Sequence, residues 1–292
     1  MAEEMGRWNP KDGGTFKFHR VYGRSSPNRI PIREWRVLSL AAPSLNLKPI
    51  SDELPFSVKA EKKITAQDVM AWLRDAYEGT PYDATRNLLV GDKQGNKVKS
   101  PVASPWLSPD VRQLLNGLSP NAVTNYYTIA NNSCSYSTVI QSRGWLPDPV
   151  GGILWLGYNP AHSASMPLFA GITDVPPSFK IDNQHGYNNA SAAWAFRRVS
   201  RLANARWGKT RELVGRAVNE GEARAFSELP GVEKRALELF AQDPKNARAL
   251  LTAYSSDFAR ATTQRYWELG DTLWTLFTYD FRLTPEDIEK LK

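Results

Sequence analysis

The chain has 292 residues, three His, one Cys and a formal net charge of +7. That length permits one large domain or two small ones, and a content of 41% hydrophobic and 11% aromatic residues, with ten Trp, excludes global disorder. A single Cys excludes an intrachain disulfide framework, and three scattered His give no ligand spacing, so neither a metal nor a cofactor is expected. Residues 1–30 are rich in Gly, Pro, Asn and Ser, with a short strand candidate at 15–22. "REWRVLSLAAPSL" (33–45) reads as a buried helix or strand that ends before Pro43. "TAQDVMAWLRDAY" (65–77) is a helix, with Thr65 as its cap, Asp68 in the first turn, and Val69, Leu73, Ala76 and Tyr77 as its apolar stripe; Gly79 and Pro81 stop it.

Residues 84–122 read mostly as loop, punctuated by Gly91, Gly95, Pro101, Pro105, Pro109 and Pro120. "TNYYTIA" (124–130), "STVIQS" (137–142) and "GGILWLGY" (151–158) read as three neighbouring strands, the last two joined by "RGWLPDPV". Because "ILWLGY" is apolar without alternation, a sheet covered on both faces is expected. Residues 160–190 read as loops. Ser191 opens a helical half, with one pattern over 191–207, a second through "VEKRALELFAQ", and a third from the Asp243-Pro244 break to about Phe277 through Leu251, Tyr254, Phe258, Ala261, Leu269, Leu273 and Leu276. The order of elements indicates an α+β fold.

The longest apolar stretch, "GGILWLG", is far short of the roughly 20 residues a membrane-spanning helix needs, so no membrane partner is expected. The opening "MAEEMGRWNPKDGG" has neither a basic nor an apolar leader region. This favours the cytoplasm while leaving the compartment undecided. Positive charge concentrates at 197–216, where Arg197, Arg198, Arg201, Arg206, Lys209, Arg211 and Arg216 face a single Glu212. With no nucleic-acid motif beside it, this reads as a solvated helix face, and no nucleic-acid partner is expected.

Cys134 is the one candidate nucleophile by residue type. A reactive thiolate needs a base or an electropositive setting. His162 and His185 lie in loops without a local signature, so Cys134 reads as a small buried hydrophobe and His19, His162 and His185 as structural. No phosphate loop, G-x-G-x-x-G or G-x-S-x-G occurs. Glu78 and Asp83 are a carboxylate pair better explained by turn stabilisation than by acid-base work.

Longer strings carry more information. "REWRVLSLAAPSL" (33–45), "ELPFSVKAEKKITAQDVMAWLRDAYEGTPYD" (53–83), "QSRGWLPDPVGGILWLGYNPAHSASMPLFAGITDVPPSF" (141–179) and "SAAWAFRRVSRLAN" (191–204) closely resemble the C-terminal half of the C69 family dipeptidases, and "MGRWNPKDGGTFKFHRVYG" resembles the segment before it. The resemblance implies an N-terminal-nucleophile hydrolase, a four-layer αββα sandwich of which this chain is the C-terminal part with added long helices. It implies one domain portion over 1–292, strand- and loop-rich to 190 and helical from 191. In that family the nucleophile is the first residue of the mature chain, a Cys whose own α-amine is the base. Here the chain begins Met1-Ala2-Glu3-Glu4 and Cys134 lies mid-chain. The expected function is therefore hydrolysis of short peptides by a cysteine dipeptidase whose nucleophile lies in an N-terminal portion, that portion being the expected partner.

By analogy with an "R-x-x-R" segment of related amide hydrolases, Arg33 is the candidate to stabilise charge near the nucleophile and Arg36 the second choice. Arg74, Asp75, Glu78 and Asp83 are expected to be structural. A half-sandwich would expose apolar surface and associate, so an oligomer is expected. The alternatives are a non-catalytic binding or scaffold protein that uses the 197–216 face, and a hydrolase dependent on Cys134.

Overall fold

The computed structural model describes residues 1–13, 16–23, 31–49, 54–124, 126–181 and 186–290, with the side chains of His19, Arg20 and Pro31 excepted. The chain divides into two compact units, Met1–Lys62 and Lys63–Lys292. In the first, the strand candidate is instead a short helix, α1 (Phe18–Tyr22), with Thr15 outside the described residues. Helix α2 (Pro31–Ala41) settles the helix-or-strand alternative: proline suits a first helical position, and Pro43 ends the helix. Trp35 Nε1 donates to the Leu47 carbonyl at 2.8 Å. The 44–61 stretch is tied back by Ser44, whose N–H and hydroxyl both donate to Glu61 Oε1, and by Glu61 N–H donating to the Ala41 carbonyl.

The second unit opens with α3 (Ala66–Leu73). Thr65 and Asp68 form a reciprocal capping box: Thr65 Oγ1 accepts from Asp68 N–H at 3.1 Å, and Asp68 Oδ2 accepts from Thr65 N–H at 2.9 Å. The helix stops at Arg74, short of the expected 77, because Tyr77 takes a left-handed φ of 65°. The expected loop of 84–122 contains a two-stranded antiparallel hairpin, β1 (Leu89–Gly91) and β2 (Lys97–Lys99), and then α4 (Pro109–Leu118). Ser108 caps α4 by accepting from Val111 N–H, with Pro109 at its first turn.

The main sheet has order β3–β4–β5: β3 (Tyr136–Ser142), β4 (Gly152–Tyr158) and β5 (Met166–Phe169), all antiparallel. The short helix α5 (Asp148–Gly151) bridges β3 and β4. The expected hairpin is therefore present. The third strand is β5, from the segment read as loop, and 124–130 forms no strand among its described residues. Gly152 sits where a β-carbon would approach that of Ala170 to 2.8 Å, so a side chain there would collide with the end of β5.

Four helices follow: α6 (Ala192–Ala205), α7 (Trp207–Gln242), α8 (Pro244–Thr278) and α9 (Pro285–Lys290). The break at Asp243-Pro244 lies where the sequence put it, with Asp243 accepting from Lys245 N–H. The pattern expected from Val232 is instead the end of a 36-residue helix that runs through Pro230. Pro230 is exposed, and Ala225, Leu229 and Ala236 beside it are buried, so packing offsets the backbone bond a helical proline removes. On α8 the expected apolar stripe is buried except Tyr254, which is half-buried, and Ala261, which is exposed; Ala259 is buried beside it.

The core forms where α7 and α8 cover one face of the sheet. Trp155 stacks on Phe226 at 4.5 Å, and Phe169 meets Tyr254. Leu251, Phe258, Leu269 and Leu273 of α8 and Met70 of α3 join the same cluster. On the other face Tyr158 packs against Phe196 and Phe179, but Ile140 on β3 is 72% exposed. The fold is thus α+β, and the sheet's second face is covered unevenly.

Candidate functional site

Arg33 and Arg36 occupy α2 in the first unit, three residues apart and so on neighbouring helix positions, both half-buried. The other residues singled out from the sequence lie in the second unit. Cys134 is half-buried, and its thiol donates to the Tyr136 carbonyl at 3.1 Å. Among the described residues no histidine is hydrogen-bonded to it. His162 is fully buried between Trp106 and Trp207, with ring centroids 4.9 Å from each, and its Nε2–H donates to Asn204 Oδ1 at 2.9 Å. Burial, with the nearby Arg201 charge, lowers its pKa to about 4 against the Asn204 hydrogen bond, so the ring is neutral at pH 7. His185 lies outside the described residues, as does the side chain of His19.

The segment 74–83 is a structural junction. Arg74 makes a bidentate pair with Glu222 of α7, at 2.8 and 2.7 Å, and Glu222 Oε1 also accepts from Ser165 N–H at 3.0 Å. The Asp75 carbonyl accepts from Ala130 N–H, and the buried Tyr77 hydroxyl donates to the Tyr127 carbonyl at 2.6 Å. Glu78 faces Arg211 at 3.8 Å. Burial pushes the Asp83 carboxyl up, but hydrogen bonds from Thr85 and Lys99 outweigh it and hold the group below the ordinary aspartate range. Tyr266 closes the network: its hydroxyl accepts from Ala164 N–H and donates to the His162 carbonyl.

Sequence reasoning missed the cavity. An open cavity of about 850 Å³ is bordered by the β1–β2 hairpin, α4 and one face of α6. Leu88, Leu107 and Leu115 line its apolar walls, and Trp106 is fixed there by donating Nε1–H to the Ala130 carbonyl at 2.6 Å. Arg201 and Asn204, one helical turn apart on α6, border it, and Asn87, Ser100, Ser108, Ser119, Asn121 and Asn132 also line it. Arg201 also borders a second cavity of about 580 Å³ with Trp194, Arg197 and Trp274. The signals in the sequence were the Ser108-Pro109-Asp110 helix start and the Arg201/Asn204 spacing, but the walls come from a segment read as loop.

The basic 197–216 stretch is largely matched by acids from elsewhere in the unit: Arg198 with Asp271, Arg206 with Asp280, Arg211 with Glu78 and Arg216 with Glu286. Among the described residues no cluster of His, Cys, Asp and Glu is arranged to hold a metal, and no helix is long and apolar enough to cross a membrane.

Comparison with known proteins gives this geometry a context. The sequence profile of peptidase family C69 matches residues 2–220, three quarters of the chain. The chain belongs to peptidase family C69. It is 26% identical over 176 residues to a dipeptidase of Bifidobacterium longum, a match covering 60% of this chain and 27% of that protein. It is 22% identical over 228 residues to a probable dipeptidase of Latilactobacillus sakei, covering 78% and 41% respectively. A probable dipeptidase B of Lactococcus lactis is 27% identical over 147 residues, covering 50% and 25%. The C69 chain thus spans between a quarter and two fifths of the length of these curated relatives. The C69 match includes Arg33, Arg36, Arg74 and every residue of the larger cavity, and it ends within α7, leaving Glu222, α8 and α9 beyond it.

Proposed function

We propose that this chain is the C-terminal portion of a cysteine dipeptidase that hydrolyses short peptides through an N-terminal Cys supplied by the rest of the enzyme. The observation that carries the reading is the match to dipeptidases over three fifths or more of this chain and no more than 41% of their length. In the complete enzyme the Cys sulfur attacks the peptide carbonyl carbon, its own α-amine takes the thiol proton and returns it to the leaving amine, and water then hydrolyses the thioester. Arg33, with Arg36 as second choice, holds negative charge near that sulfur or a substrate carboxylate. Cys134 has no free α-amine, and the only described imidazole is committed to Asn204.

The exposed part of the sheet's second face supports the four-layer arrangement. β3 is an edge strand, and Ile140 stands exposed on the face opposite α7 and α8. A second sheet from the remainder of the enzyme would cover that face and pair that edge, and without it the chain associates with itself.

The test is co-expression with the preceding portion of the enzyme, begun at its Cys. Dipeptide cleavage that appears only with both parts, is removed by iodoacetamide, and is unaffected by Cys134→Ser is the expected result. Cleavage that survives replacement of the upstream Cys by Ala would refute the mechanism.

A further inference from the structure

The large cavity of the second unit combines a mostly apolar lining, interrupted by Asn and Ser side chains, with one cation, Arg201. Its volume of about 850 Å³ lies within the range of small-molecule sites, and its lining is mostly apolar. Arg201 is exposed, and among the described residues its guanidinium has no ion-pair partner, although Arg198, Arg206, Arg211 and Arg216 of the same stretch are all paired. Asn204 borders the cavity one turn away, with its Oδ1 turned to His162. A guanidinium offers planar, charged donors. A group that only accepts suits it, and a carboxylate matches its fork with two oxygens.

The rest of the lining sets the body of the ligand. Leu88, Leu107 and Leu115 offer only aliphatic surface, and Trp106 cannot turn its Nε1–H inward because the Ala130 carbonyl and Thr128 hydroxyl accept it. We propose that this cavity binds a carboxylate carried on an apolar body, with Arg201 holding the carboxylate and the leucines and Trp106 bordering the body. Two sources share that chemistry: the C-terminus of a short apolar peptide and a free aryl or alkyl carboxylic acid.

The experiment is isothermal titration calorimetry on the 292-residue chain with four probes: leucyl-leucine, its C-terminal amide, 4-phenylbutyrate and 4-phenylbutyramide. The expected result is saturable binding of at least one acid, weakened about tenfold or more in its amide and by a similar factor in Arg201→Gln, since each change removes one charge-assisted contact. Arg201 is exposed, so this variant keeps the fold, which circular dichroism checks. Val111→Trp, placed to fill the cavity from α4, abolishes binding of either acid. Preference for leucyl-leucine assigns the site to peptide ends, and preference for 4-phenylbutyrate to free carboxylic acids. Equal binding of acids and amides, indifference to Arg201→Gln, or no saturable heat with any probe would overturn the proposal. None of these readings depends on peptide cleavage, so it stands or falls apart from the dipeptidase mechanism.

Discussion

His162 makes the stability of the second unit depend on pH in a window of its own. The unfolded imidazole titrates at about 6.5, whereas the buried ring between Trp106 and Trp207 titrates at about 4. Between those values the unfolded chain binds a proton that the folded chain refuses, so stability is fully present above about 7 and is lost as pH falls towards 4. The gap corresponds to about 3 kcal/mol in all, of which about 2 kcal/mol is gone by pH 5. The shifted carboxylates act in the same direction but lower down: Asp83, Asp92, Asp174, Glu286 and Asp287 are all held below the ordinary range and protonate only beneath it.

The assay is urea unfolding followed by far-ultraviolet circular dichroism at pH 8, 7, 6 and 5, for the wild type and for His162→Gln. The Gln amide still donates to Asn204 Oδ1 but does not titrate. The variant is less stable at pH 8, where the aromatic packing of the imidazole is lost, yet its stability changes less between pH 8 and 5 by about 2 kcal/mol. Parallel pH dependences for the two proteins would show that the ring is reached by water and protons in the folded state, and the argument from burial would fail.

Two further substitutions test the scaffold. Arg74→Met leaves the Glu222 carboxylate, whose side chain is 12% exposed, without its bidentate partner, and is expected to cost about 3 kcal/mol; Glu222→Leu in the same chain recovers a large part of it, and a single-variant loss below about 1 kcal/mol would contradict the pairing. Gly208→Ala places a methyl group against the Ser100 and Pro101 carbonyl oxygens, backbone atoms that cannot step aside, so α7 or the end of the hairpin must shift at about 2 kcal/mol, read as a lower urea midpoint.

What the sequence made legible was local. The Thr65/Asp68 box and the Asp243-Pro244 start each depend on residues within one turn of a helix end, and each appears where its chemistry put it; α6 also starts after Ser191, but the Ser191 side chain makes no capping hydrogen bond. The β3–β4 hairpin was equally readable, since its strands are joined by a dense turn. Elements held by distant partners were not. β5 is four fully buried residues with Pro167 opposite Trp155, a segment whose strand character comes from the edge of β4 and not from its own sequence. β1 and β2 are three-residue strands, too short for a period to show, and β2 carries Lys97 and Lys99. α7 passes through Pro230 because a buried stripe on both sides holds it.

The same division separates the two kinds of functional residue. The string "RDAYEGTPYD" was singled out by resemblance, yet its side chains and backbone are occupied in joining parts of the second unit: Arg74 to α7, Asp75 to the 130 turn, and Tyr77 to the 127 backbone in a left-handed conformation that costs about 1–3 kcal/mol and is held there by its hydrogen bonds. A distinctive string marks a demanding geometry, and here the demand is met by structure. Arg201 and Asn204 had no distinctive string around them, only a place in a basic stretch. Arg201 differs from Arg198, Arg206, Arg211 and Arg216 once folded, because each of those is paired with an acid and, among the described residues, it is not. A charge left unmatched at the edge of a mostly apolar cavity is the kind of feature that a ligand completes, and it takes the folded chain to show which residues remain unmatched.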